Sequence, residues 1–406
     1  MRTEGDLIKI NEWLLPLSWL YGLGVGFRNW LFDLGLLRHR AFSIPVISVG
    51  NITVGGSGKT PHVEYLIRLL QDSMRVAVLS RGYKRKSHGY VLATADTPMR
   101  MIGDEPYQMR HKFPDIYVAV DKDRCEGIDR LTHDSATQNV DVILLDDAFQ
   151  HRYVQPGINI LLVDYHRLII YDQLLPAGRL REPMKGKSRA DIVIVTKCPK
   201  DLKPMEFRVL TKAMNLYPYQ DLYFTTIDYD QPVAIFPEEA ETTSDSPVMN
   251  FATNRHRLSM LTGKNVLLLT GIASPQQMQM DLRRECRAIT PLTFGDHHAF
   301  TPRDVERIND TFAQLDGPKI IITTEKDSAR LRDLEGLSAD VRANLYALPI
   351  KVKFMLDQEE YFNQKIISYV HKNSRNSILA KGKDDHKPKD GHHPGNRPGT
   401  ISFRDN

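Results

Sequence analysis

The chain has 406 residues, 41% of them hydrophobic and 26% charged, with a formal net charge of +4. That length accommodates two packed domains, and the composition excludes both a disordered chain and a polytopic membrane protein. So small a positive excess gives no ground for a nucleic-acid partner, although local Lys and Arg clusters can meet an acidic ligand or an anionic membrane.

The first predicted element is an uncharged aromatic stretch from Trp13 to Phe27, "WLLPLSWLYGLGVGF", followed by "RNWLFDLGLL". It falls short of the ~20 apolar residues that cross a bilayer. The acids of "MRTEGDLIKINE" do not suit a secretory signal. Trp13, Trp19, Tyr21 and Trp30 are residue types that settle at a lipid–water boundary. Residues 7–38 therefore read as a helix or helical hairpin dipping into one leaflet, with the body on the cytoplasmic side. A buried core helix is the other account of the same segment.

Next, "VISVGNITVGGSGKTPHVEYLIRLL" (46–70) passes from an apolar β-like run through a glycine-rich turn into a helical pattern. Strand before and helix after are the context in which Thr53, Val54, Gly55, Gly56, Ser57, Gly58, Lys59 and Thr60 form a phosphate cradle. Backbone N–H groups converge on phosphate oxygens, aided by the positive end of the helix. Lys59 would reach the outer phosphates and the Thr60 hydroxyl would ligate Mg²⁺. Thr53 stands where the usual pattern has its first glycine.

Further strands follow: "RVAVLSRG", with Arg81 at its end, "DIYVAV", "VDVILLDD", "INILLVD" and "DIVIVTK". Near-continuous Val/Ile/Leu runs mean strands buried on both faces, hence a mostly parallel sheet with helices on each side. Asp146 and Asp147 close one such strand, where one acid would hold Mg²⁺ and the other orient it or the attacking group; capping the next helix is the plainer account. "GDEPYQ" (103–108) presents Asp104 and Glu105, and "DKDRCEG" (121–127) puts Arg124 just past a strand. Basic runs at 80–90 and 178–189 can meet anionic groups, whereas Lys86 and Lys187 read as a solvated face.

Residues 236–256 are polar and turn-rich, a linker or hairpin insertion. A second set of strands comes after it: "NVLLLTG" (265–271), "KIIITTEKD" (319–327) and "LYALPIKVKF" (345–354). Between them "FGDHHAF" offers Asp296, His297 and His298, and a carboxylate–imidazole pair suits proton acceptance near neutral pH. The expected organisation is an N-terminal membrane-associated segment (1–40), a nucleotide-binding core (41–235), the linker (236–256), a smaller α/β domain (257–371) and a disordered tail (372–406). Cys125, Cys198 and Cys286 have no metal or redox spacing and read as reduced thiols.

Nine collinear blocks, "GNITVGGSGKTP", "SRGYKRKSHG", "GDEPYQM", "DRCEG", "LLDDAFQHR", "LLPAGRLREP", "GIASPQQM", "FGDHHAF" and "TTEKDSARL", resemble the tetraacyldisaccharide 4′-kinase family over roughly residues 7–370. The resemblance implies a P-loop NTPase-like α/β fold with a second smaller α/β domain. It also implies ATP- and Mg²⁺-dependent phosphorylation of the 4′-hydroxyl of an acylated glucosamine disaccharide 1-phosphate, giving lipid IVA, at the cytoplasmic face of a bacterial inner membrane. That family carries Ser or Thr at the Thr53 position. By position, Lys59 and Thr60 match its phosphate and Mg²⁺ residues, Asp146 and Asp147 its acidic strand end, and Asp104 its proposed general base with His297 as partner. Glu105, Arg124, Arg81 and His151 fall in blocks expected along the same cleft, and Ala148 stands where the family commonly has Gly. Whether "TTEKD" touches nucleotide or braces a hinge stays open. A membrane-associated ATPase switch without lipid kinase activity shares the cradle and the acidic strand end and is the alternative.

Overall fold

The computed structural model describes residues 10–240, 258–272, 275–295 and 300–374, with Ile8 and His298 besides. In chain order its strands are β1 (Val46–Gly50), β2 (Val76–Ser80), β3 (Val91–Leu92), β4 (Tyr117–Val120), β5 (Val142–Asp146), β6 (Ile158–Asp164), β7 (Ile192–Thr196), β8 (Asp221–Tyr229), β9 (Val233–Ala234), β10 (Asn265–Thr270), β11 (Ala288–Thr293), β12 (Lys319–Thr324), β13 (Leu345–Leu348) and β14 (Ile350–Phe354).

Two sheets result. The larger has the order β14-β8-β7-β6-β1-β5-β2-β4-β3, parallel from β8 to β4 with an antiparallel strand at each edge. Its inner strands are buried on both faces, as their unbroken apolar runs require. Helices Lys59–Leu70 and Glu359–Asn373 cover one face, through Leu66, Ile67, Phe362 and Ile366. Helix Arg124–His133 covers the other, through Ile128 and Leu131. β1 sits between β5 and β6 although the next strand in the chain, β2, lies beyond β5. The connections leaving β1 and β6 thus part to opposite sides, and a crevice opens at the carboxyl ends of the strands. The smaller sheet, β11-β10-β12-β13-β9, is parallel except for β9.

The expected division at 41–235 and 257–371 is corrected at both ends. β9 already belongs to the second sheet, and "LYALPIKVKF" is two strands, β13 in the small sheet and β14 in the large one. Pro349 lies between them and has no N–H to give to a ladder, so the run breaks there. Helix Glu359–Asn373 then packs on the first core. Of the expected linker, Pro237–Ala240 is a short helix; residues 241–256 and the tail from 375 lie outside the described residues.

The N-terminal segment is one helix, Leu15–Asp33, preceded by a 3-10 turn, rather than a hairpin. One stripe faces the body. Ser18 Oγ donates to Leu174 O at 3.0 Å, Tyr21 OH donates to Arg181 O at 2.7 Å, and Phe32 is buried. On the opposite stripe Leu17, Leu20, Leu23, Phe27, Trp30 and Leu34 are exposed at helical spacing, with Trp13 and Trp19 beside them. No described helix is long and apolar enough to cross a membrane.

Candidate active site

β1 delivers the chain into the cradle turn, and helix Lys59–Leu70 begins directly after it. Gly58 has φ 81°, a left-handed backbone that a residue with a side chain adopts only under strain. Alongside runs a strand-like return: Val54 N donates to Arg179 O and Arg181 N donates to Ile52 O, both at 2.7 Å. That return carries Arg181 to the acid loop.

Asp146 ends β5 fully buried; Ser80 Oγ donates to its Oδ2 at 3.2 Å, while Oδ1 has no hydrogen-bond partner among the described residues. Burial pushes its carboxyl up to about 7, the negative charges of Glu105 and Asp147 adding to the effect and Lys59 opposing it. The next residue turns the other way. Asp147 has φ 48°, which Asp tolerates better than most residues, and this aims its carboxylate at Lys59 (3.5 Å) and Arg181 (3.3 Å). Although burial alone would raise it, those two cations hold Asp147 below the usual carboxylate range. The left-handed residue is Asp147, not Ala148, so a side chain at 148 meets no such strain. Arg124 lies beneath the pair rather than along the cleft. It donates to Asp121 O at 2.5 Å and Asp146 O at 3.2 Å, and burial lowers it to about 10, still protonated at neutral pH.

This donor set suits a hard divalent cation: an orphaned carboxylate oxygen on Asp146, and Thr60 in the first turn of the cradle helix. Among the described residues no cluster of three or more His, Cys, Asp or Glu has metal-holding geometry. Mg²⁺ needs none, since it is commonly held by one or two carboxylates with phosphate and water.

On the cradle's side of the crevice, Asp104 and Glu105 open helix Asp104–Lys112, where acids complement the helix dipole. Gly103 permits this start. Its φ is 91°, and a Cβ there would approach Tyr83 O to 2.8 Å. Asp104 is ion-paired with Arg330 from the second lobe, and Arg330 also lies 3.5 Å from Asp327. Asp327 is fully buried and accepts from Gly271 N at 2.8 Å and Thr324 Oγ1 at 2.7 Å, so this residue of the "TTEKD" block braces the second lobe, while Thr324, Glu325 and Lys326 line the cleft. Its Glu325 is bound to Lys112 at 2.5 Å, and Lys112 also reaches the buried Glu64 at 2.7 Å. The cleft between lobes is lined by Lys59, Thr60 and Glu105 on one side and by Ile272, Met278 and Lys326 on the other.

Other expectations change. His151 does not line this cleft; its backbone N–H donates to Ala148 O at 2.8 Å, and the resulting turn sends it to a separate cavity with Ser48 and Asn159. Arg81 is exposed beyond the end of β2. His297 and Asp296 lie outside the described residues, while His298 bonds Asp304 at 2.9 Å in the cap of helix Pro302–Ala313. Lys187 is buried, not solvated: its ammonium donates to Met214 O and, at 2.8 Å, to Asn215 O at the end of helix Pro204–Met214. Lys86 is exposed as expected. Arg181 and Arg330 join the site without having been expected from the sequence. Both stand in recognisable blocks, but nothing local shows which acid each meets.

A family model described as tetraacyldisaccharide-1-P 4′-kinase matches residues 10–371. A tetraacyldisaccharide 4′-kinase of Phocaeicola vulgatus is 58% identical over 379 residues, covering 93% of this chain and 100% of its own. One of Bacteroides fragilis is 52% identical over 385 residues, covering 95% and 100%. Among solved structures, LpxK of Aquifex aeolicus in complex with ATP is similar with a TM-score of 0.64 and 30% identity, over 89% of this chain and 99% of that one.

Proposed function

The chain belongs to the tetraacyldisaccharide-1-P 4′-kinase family, and we propose that the crevice between its lobes holds ATP on the cradle and the acceptor sugar beside Asp104. The protein is a tetraacyldisaccharide 4′-kinase, transferring the γ-phosphate of ATP to the 4′-hydroxyl of tetraacyldisaccharide 1-phosphate to give lipid IVA in lipid A biosynthesis. An ATPase switch without lipid kinase activity does not fit that membership.

The observation that carries the site reading is the meeting of Lys59 with Asp147 at 3.5 Å, next to the orphaned oxygen of Asp146, beside a cleft lined by Lys59, Thr60 and Glu105, with Asp104 adjoining Glu105 at the start of its helix. Phosphoryl transfer asks a protein mainly for positioning and for charge stabilisation. The amides of Gly55 to Thr60 and the Lys59 ammonium neutralise the phosphoryl group as it moves. Arg181, held by Asp147, adds a second cation beside it. Asp104, with His297 as its proposed partner, accepts the hydroxyl proton while the sugar oxygen bonds to phosphorus and ADP departs. Mg²⁺ held by Thr60 and Asp146 would neutralise further phosphate charge when bound.

The acceptor's acyl chains remain in a bilayer, and the exposed apolar stripe of Leu15–Asp33 suits docking at its surface, on the cytoplasmic face of the inner membrane. Purified protein with ATP, Mg²⁺ and detergent-dispersed acceptor tests the whole reading: a second phosphate on the lipid is expected, and ATP hydrolysis without lipid product overturns it. Flotation with anionic vesicles tests the docking. The wild type should float and a Trp19→Glu, Leu23→Glu double variant should not; equal flotation removes the helix as anchor.

A further inference from the structure

Behind the cradle, side chains from two distant parts of the sequence reach three successive carbonyls. Lys197 Nζ donates to Gly56 O, Thr196 Oγ1 donates to Ser57 O at 3.0 Å, and His62 Nδ1 donates to Gly58 O at 2.7 Å. Thr196 ends β7, and Lys197 follows it in a left-handed backbone at φ 57°. Asp164, at the end of β6, holds the Lys197 ammonium at 2.7 Å. A carbonyl only accepts, so His62 Nδ1 carries the proton, and Nε2 then accepts from the Thr225 hydroxyl at 3.1 Å.

The arrangement has a directional consequence. Across a planar trans peptide the C=O of one residue and the N–H of the next point opposite ways. Drawing the carbonyls of Ser57 and Gly58 backwards therefore aims the N–H groups of Gly58 and Lys59 forwards, where phosphate oxygens lie. The Gly56 carbonyl belongs to a tighter bend, since Ser57 N already donates to Gly55 O at 3.0 Å; Lys197 pins that bend. Glycine loses more backbone freedom on ordering than any other residue. A cradle with three glycines that was ordered only on ATP binding would lose that freedom at the expense of affinity, whereas one ordered from behind has lost it on folding.

We propose that Thr196, Lys197 and His62 form a brace that pre-orients the phosphate-binding amides, with Lys197 as a positioning residue for ATP. Lys197 also lines the interlobe cleft, next to Gly56. The proposal rests on the reading that this turn grips the triphosphate. It concerns affinity for ATP and not for the lipid, which separates it from a merely structural role.

The test is a comparison of KM for ATP and KM for the acceptor in the full-length enzyme. Lys197→Met should raise the KM for ATP about tenfold, the scale of one charge-assisted hydrogen bond, and leave the acceptor KM within about twofold. Lys197→Arg, which keeps a donor, should restore most of the ATP affinity. Thr196→Val, which deletes one hydroxyl donor, should raise the ATP KM about threefold and serves if Lys197→Met does not fold. An unchanged ATP KM in whichever of the two folds, or equal changes in both KM values, overturns the brace. Lys59→Ala run in parallel separates the two ideas. Lost turnover there with a normal ATP KM in Lys197→Met removes only the brace; normal turnover in Lys59→Ala removes the cradle reading beneath it.

Discussion

Two groups of charges lie beside the cleft, a cradle wall around Lys59 and an Asp104 wall next to it, and they are assembled differently. On the cradle wall Lys59, Asp147 and Arg181 all come from the first lobe, clustered at the carboxyl ends of β1 and β5. On the Asp104 wall the partner is Arg330, 226 positions further along the chain and on the second lobe. Burial does not distinguish the pairs: the side chains are 13% and 32% exposed for Lys59 and Asp147, and 11% and 28% for Arg330 and Asp104. Connectivity does. The Lys59–Asp147–Arg181 cluster is drawn from one lobe, while the Asp104–Arg330 pair forms only with both lobes together.

Breaking the one-lobe side should have the largest effect. Lys59→Ala removes a cation where charge moves, and a loss of about a thousandfold in kcat is expected; a near-normal rate in a steady-state assay dismantles the cradle wall. Asp104→Asn should lower kcat about a hundredfold with the KM for ATP little changed, because the proton acceptor goes and the grip stays. Collapse of ATP affinity would instead make Asp104 part of the grip, and the contrast between walls would disappear.

How far each wall was legible follows from the same difference. The cradle is contiguous backbone, strand then glycine turn then helix, so its residue types and spacing are visible in residues 46–70. Asp146 and Asp147 are likewise local to one strand end. Arg330 and Lys112 were unreadable as site neighbours because their acids are set by packing between lobes, which no local pattern encodes. The same reason split "LYALPIKVKF" between two sheets: an apolar run specifies burial but not which sheet buries it. Lys187 failed for another cause. A long side chain can lay its stem along apolar surface and satisfy its ammonium on helix-end carbonyls, which composition alone does not reveal.

Two smaller changes sharpen the interlobe side. Lys112→Met should destabilise the protein by about 2 kcal/mol, because it leaves the buried Glu64 with Arg68, 3.3 Å away, as its remaining cation and releases Glu325. Chemical denaturation reads this directly, and an unchanged midpoint would mean that the lobes are held without that bridge. Arg330→Ala should lower kcat about tenfold by freeing the Asp104 carboxylate from its fixed position. Arg330→Lys should recover part of the loss. Equal activity of all three proteins would show that Asp104 is positioned from its own lobe, and the two walls would then be alike.

The smallest expected effect isolates the support of the cradle. Burial, followed by the nearby Lys197 charge, lowers the His62 imidazole to about 4, against its ordinary 6.5, and only partly does its bond to Gly58 O oppose this. Between those values the unfolded chain binds a proton at this position that the folded chain refuses, so stability rises with pH there and is lost as pH falls from 6.5 towards 4. The direction is opposite to that of a histidine stabilised by a carboxylate. Over the single unit from pH 6.5 to 5.5 the loss attributable to His62 is about 1 kcal/mol. Other groups titrate in the same range, so the quantity to measure is the difference between wild type and His62→Gln, by denaturation at the two pH values. Gln keeps a donor for the Gly58 carbonyl but has nothing to protonate, and its stability should depend less on pH by that amount. Parallel pH dependence of the two proteins would mean that His62 accepts its proton without strain, and that the cradle is not clamped by a neutral imidazole.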